Sequence, residues 1–174
     1  YIQLMDSLNE EQRDIVYHIN SCAKKGEVFH IYIAGGAGTG KSHIIKAINQ
    51  SLSRHYRSLH PGSEEDGVEI LIVSFTGMAA HNVDGMTAHS AFHLSAGKGT
   101  KFSPLKHDIK NTMRCHLFKL KVLIIDEISM LSSIHLDQIS MRLGEVLESP
   151  PGVHFGGLSV INVGDFNQLP PIAA

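Results

Sequence analysis

The stretch GGAGTGKS at positions 35–42 constrains this chain more than any other feature. Gly35, Gly40, Lys41 and Ser42 satisfy the pattern G-x-x-x-x-G-K-[ST], a short apolar run precedes it and a helical pattern follows at once. A loop of this kind wraps backbone N–H groups around phosphate oxygens. Glycines at Gly36, Gly38 and Gly40 remove side chains that would block that approach, and Thr39 completes the turn. The amides at the start of the following helix add partial positive charge at the same place. Lys41 is then placed to reach the β- and γ-phosphates of a nucleotide, and the Ser42 hydroxyl to ligate magnesium. The competing reading, a glycine-rich turn with an incidental lysine, does not account for the order strand, loop, helix.

The rest of the chain repeats that alternation. Apolar runs rich in β-branched residues predict strands at 28–33, 69–75, 121–125 and 158–163. Helical periodicity predicts helices at 10–23, 42–57, 78–83, 88–94 and 130–147. Segments 60–67 and 95–104 read as loops by their Gly, Pro, Lys and acidic content. Strands apolar on both faces belong to a mainly parallel sheet with helices on each side, so the predicted class is α/β. One domain is expected, since 174 residues with 43% hydrophobic content suffice for a single buried core. A formal charge of −2 excludes the broad positive field of a dedicated nucleic-acid binder, so any such contact must be local. Cys22 and Cys115 lie far apart without metal-ligand spacing and are expected as free thiols in a reducing, intracellular compartment. No apolar run approaches a membrane span, and no membrane partner is expected.

A second chemical feature closes the third predicted strand. KVLIID delivers Asp126, with Glu127 next to it, at the end of a buried apolar run. Two acids there are costly unless a cation or water engages them. Asp126 is therefore the magnesium-associated candidate, and Glu127 the candidate to position or deprotonate an attacking water. Acids before a helix also serve as caps, which is the plainer explanation for the pair.

Read together, these segments resemble the superfamily 1B helicases of the Pif and RecD type, most closely the Pif-like branch that includes the Helitron transposon helicases. LNEEQRDIV looks like the family's Q motif, SFTGMAAHNVDGMTAHSAF like its paired single-strand DNA motifs, VLIIDEISML like its acidic motif and VGDFNQLPPI like its third motif. LDQISMRLGEV and HFGGLSVINVGDF are similar to the stretch that separates the Pif-like branch from RecD, and the likeness runs from Leu8 to Ile172. It implies a RecA-like ATP-binding motor domain whose four strands lie in the order first, fourth, third, second. It also implies an ATP- and magnesium-dependent 5′-to-3′ DNA helicase acting on single-stranded DNA. By resemblance Gln12 reads adenine, for which an amide that donates and accepts together is suited, and Gln168 senses the γ-phosphate. Gln168 and Asp165 follow the fourth strand, where ligands of parallel sheets gather, although Pro170 and Pro171 could equally hold Gln168 as an ordinary loop residue.

For the nucleic acid, Thr76, Gly77, Thr87, His89 and Ser90 offer small donors and close backbone approach to strand phosphates. Such contacts do not separate DNA from RNA. Phe92 could stack on a base, though an aromatic on an apolar helix more often packs into a core. His89 and His93 have a metal-ligand spacing but no third ligand. Lys98, Lys101, Lys106, Lys110 and Arg114 form either a basic rim or, more simply, a solvated face. The chain starts at Tyr1 and stops just beyond a proline pair, as an excised piece would, and the resemblance implies that it is the first motor domain alone. As a monomer without the second motor domain it would be weakly active or inactive. The expected location is nucleus or mitochondrion in a eukaryote and cytoplasm in a bacterium. A nucleotide-binding module without turnover, and a P-loop kinase, are the competing classes; tandem Asp126–Glu127 and GDFNQLPP oppose the kinase.

Overall fold

A strand buried at every position needs cover on both faces, and Val122–Asp126 is such a strand. The computed structural model describes residues 1–59, 67–94 and 102–168 and builds its sheet around that strand. The five strands are β1 (His30–Ala34), β2 (Ile70–Ser74), β3 (Met86–Thr87), β4 (Val122–Asp126) and β5 (Ser159–Gly164). Their spatial order is β1-β5-β4-β2-β3 and every pairing is parallel. The four expected strands thus take the expected order, and β3 extends the sheet beyond β2. Alternate residues feed two cores. Ile72, Val122, Ile124, Ile161 and Val163 pack on one face with the helices α2 (Glu10–Lys25) and α3 (Lys41–Leu59). Leu71, Val73, Leu123, Ile125 and Val160 pack on the other with α5 (Ala88–Phe92), α6 (His107–Leu117) and α7 (Ser133–Leu147). This is the period-2 signature of a sheet between two helical layers.

Helix ends follow local chemistry. Asn9 opens α2 by a reciprocal capping box with Gln12, Glu10 and Glu11 sit in its first turn, and Gly26 closes it at φ 70°. Ser132 caps α7, which therefore starts at Ser133 rather than near 130; Ile128–Met130 form a separate 3-10 turn. Two short helices, α1 (Ile2–Asp6) and α4 (Gly77–Asn82), and a 3-10 turn at His154–Gly157 complete the described elements. The sequence reading missed α1, β3 and α6. Helix α6 carries apolar residues at helical spacing, Ile109, Met113 and Leu117, but Lys106 at its N-cap makes no side-chain cap, so no start signal marks it. Most of the two expected loops, residues 60–66 and 95–101 including Lys98 and Lys101, lies outside the described residues, as do Pro170 and Pro171.

One buried ionic device holds the second layer together. The Arg142 side chain donates to the Phe92 carbonyl at 3.0 Å and the Ser103 carbonyl at 3.1 Å, and pairs with Glu145, which accepts from the Leu105 N–H at 2.9 Å. It ties the C-terminal end of α5 to α7 and to the segment entering α6. Cys22 is buried, Cys115 exposed, and both are free. Among the described residues, no helix is long and apolar enough to cross a membrane.

Candidate nucleotide site and strand interface

The carboxyl ends of β1, β5 and β4 lie side by side, with Ala34 opposite Gly164 and Ile125 opposite Asn162. That register brings the glycine loop, Asp165 and the Asp126–Glu127 pair to one edge, where ligands of open parallel sheets bind. The loop joins its neighbour directly: the Gly35 N–H donates to the Gly164 carbonyl at 3.2 Å. Gly38 and Gly40 adopt φ of 75° and 85°, the left-handed region that disfavours side chains. A Cβ on Gly36 would meet nothing nearer than 3.9 Å, so the fold itself does not demand glycine there, which fits a position kept clear for a ligand.

Lys41, half-buried at the first position of α3, donates to the Gly35 and Gly36 carbonyls at 2.9 and 3.0 Å. Ser42 is exposed in the same first turn. Gln12 is tied to the loop. Its Nε2 donates to the Thr39 carbonyl at 3.0 Å and its Oε1 accepts from the Asn9 N–H at 3.1 Å. A Cβ on Gly40 would stand 2.8 Å from that Nε2, so this glycine also makes room for the tether.

Asp126 is 3% exposed and accepts the Glu127 N–H at 2.9 Å. Burial pushes its carboxyl up from 3.8 to about 6; the Glu127 N–H and Lys41 oppose the rise, and the Glu127 charge adds to it. A carboxylate held buried at this cost is suited to a hard divalent cation, which takes oxygen ligands. Glu127 takes φ 53°, ψ 44° while capping the 3-10 turn. A non-glycine residue there costs about 1–3 kcal/mol, a strain typical of functional positions. Glu127 and Gln168 line one cleft of about 170 Å3 with Thr76, Ala79, Ser129 and Met130. The buried hydroxyls of Ser129 in that cleft and of Ser74, paired in register with Asp126, have no hydrogen-bond partner among the described residues.

The strand-contact candidates gather beyond the end of β2. Thr76 caps α4 by accepting from the Ala79 N–H at 3.2 Å, and Gly77 is the first residue of that helix. Thr87 caps α5, accepting from the Ser90 N–H at 3.2 Å and donating to the Ser90 hydroxyl at 2.9 Å. Phe92 is fully buried, so it belongs to the core. The His89 ring meets Phe75 and His135, two residues the sequence reading did not single out. Among the described residues no group of three His, Cys, Asp or Glu could hold a metal ion, so His89 and His93 stay a pair. Arg114 is ion-paired with Glu148, which favours the solvated-face reading of α6.

Sheet order, glycine loop and acidic strand end together define a P-loop nucleotide-binding domain of the RecA-like α/β kind. The chain belongs to the PIF1-like helicase family, whose model matches residues 7–174. It is 34% identical over 155 residues to the ATP-dependent DNA helicase PIF1 of Emericella nidulans, covering 88% of this chain and 19% of that protein. It is likewise 34% identical over 146 residues to the ATP-dependent DNA helicase RRM3 of Saccharomyces cerevisiae, covering 83% and 18%. A Bacteroides Pif1 bound to single-stranded DNA superposes with a TM-score of 0.73 at 31% identity, covering 96% of this chain and 34% of that one. A Bacteroides Pif1 with ADP-AlF3 and single-stranded DNA gives 0.72 at 32% identity and the same coverage. The chain thus spans about a fifth of the curated relatives and about a third of the solved ones.

Proposed function

We propose that this chain is the first motor domain of an ATP-dependent DNA helicase. In the intact protein it would bind and hydrolyse ATP with magnesium, translocate on single-stranded DNA and unwind duplex 5′ to 3′. The observation that carries this reading is the convergence of Lys41, Asp126, Glu127 and Gln168 at one sheet edge, with Glu127 and Gln168 sharing a cleft with Thr76. Lys41 exchanges its two loop carbonyls for β- and γ-phosphate oxygens. Gly36, Gly38, Thr39 and Gly40 supply the surrounding backbone, and Gln12, already tied to that loop, faces the adenine. Asp126 and Ser42 would hold magnesium, which when bound neutralises charge on the phosphate oxygens. Glu127 aligns the attacking water and takes its proton, and Gln168 reports the γ-phosphate to the cleft. Thr76, Gly77, Thr87, His89 and Ser90 contact the strand. Polarity and the two-domain step rest on the family relationship. Because the second motor domain would supply the arginine that completes the site, this domain alone, a monomer, should turn over slowly and unwind nothing. A DNA-acting enzyme of this kind works inside the cell, in nucleus, organelle or bacterial cytoplasm.

The test is Glu127→Gln in the intact protein. ATP affinity should stay near normal while turnover falls by about 10²-fold or more, because the role lies in the transition state. Turnover within a few-fold of wild type would reduce Glu127 to a cap.

A further inference from the structure

We propose that Phe75, His89 and His135 form a platform on which one base of a single-stranded DNA stacks, making His135 a strand contact outside the motifs read from the sequence. This rests on the single-strand reading above. The rings arrive from three elements: Phe75 follows β2, His89 lies in α5 and His135 in the first turn of α7. Their centroids are 5.3 Å apart for Phe75–His89, 5.3 Å for His89–His135 and 6.0 Å for Phe75–His135, with planes inclined at 69°, 65° and 51°. Each of the three residues is only partly buried, so the cluster is open to solvent on the carboxyl side of the sheet, next to Thr76, Thr87 and Ser90.

Two features argue for a binding surface over a simple lid on the core. Phe75 packs against the second core below, and aliphatic residues would cover it without the desolvation cost of two imidazoles. The His135 ring is also fixed in advance: its Nδ1 lies 2.9 Å from the Ser132 hydroxyl, whose oxygen also accepts the His135 N–H at 3.3 Å. A ring already ordered loses little freedom when a base stacks on it. Burial and the neighbouring His89 hold the His135 pKa below its ordinary value, which keeps the ring neutral and suited to stacking. Phe92, the aromatic that sequence alone offered for this role, would have to leave the core. That costs about 2–3 kcal/mol against a gain of about 1–3 kcal/mol from stacking one base.

The experiment compares oligodeoxythymidylate with an equally long abasic strand, by fluorescence anisotropy at low salt on the intact protein. His135→Leu keeps apolar volume at the position and removes the ring, while His135→Phe restores a ring. Leucine should weaken oligodeoxythymidylate binding about fivefold or more and leave the abasic strand unchanged, and phenylalanine should recover most of the loss. Equal weakening on both strands, or none on either, would overturn the platform. Failure of the wild type to bind either strand would instead overturn the single-strand reading, and the platform with it.

Discussion

Replacing Asp126 by asparagine separates the cost of the acid from its use. The carboxyl is raised from 3.8 to about 6 in the folded chain, so the fold binds its proton more tightly than the unfolded chain does. Stability linked to this group is therefore complete below pH 3.8, declines as pH rises between the two values, and is lost above about 6. At 1.36 kcal/mol per pH unit, the loss by pH 8 is on the order of 3 kcal/mol, an upper figure because water entry and local relaxation soften it. Asparagine has nearly the same shape, can still accept the Glu127 N–H and does not titrate. In EDTA without nucleotide, Asp126→Asn should match the wild type near pH 4 and exceed it by up to about 3 kcal/mol at pH 8. For a chain of this length that is about 6–12 °C in Tm. Urea or thermal denaturation of both proteins across that range is the assay, and comparing the two cancels every other titrating group. A stability difference that does not change with pH, or an asparagine variant less stable at pH 8, would refute the reasoning.

Lys41→Ala should remove most ATP affinity, since a charged phosphate contact disappears from the loop; equal affinities by calorimetry would sink that assignment. Arg142→Met should destabilise the chain by about 3–5 kcal/mol, because it strands the Glu145 carboxylate in a largely buried position. Adding Glu145→Gln should recover much of that loss in urea titrations, because the amide oxygen still accepts the Leu105 N–H without a charge; no recovery would mean the packing of Arg142, not its charge, is what matters.

What could be read in advance divides along a physical line. Burial on both faces of a strand leaves a trace in the strand itself, so β2, β4 and β5 were legible, each within one or two residues; β1, an edge strand in which only Ile33 is buried, was legible from its apolar run before the glycine loop. The glycine loop was legible because left-handed φ at Gly38 and Gly40 is a demand on residue type. Glu127 also takes a left-handed conformation, yet nothing in its own identity announces it; only the 3-10 turn that follows forces it. The same holds for β3, two residues long and recognisable only by its pairing with Val73 and Ser74. Gln12 shows the line running through a single side chain. Its place three residues after Asn9 is a local capping signal, whereas its bond to the Thr39 carbonyl spans 27 residues and needs α2 and α3 packed together. His135 falls wholly on the far side. In the sequence it is one polar residue in the first turn of a helix, separated by 46 positions from His89 and 60 from Phe75. Only the parallel crossover that returns α7 beside the end of β2 makes the three rings neighbours. Contacts that tertiary packing creates between unremarkable residues are thus where a strand-binding surface can lie hidden from a motif-by-motif reading.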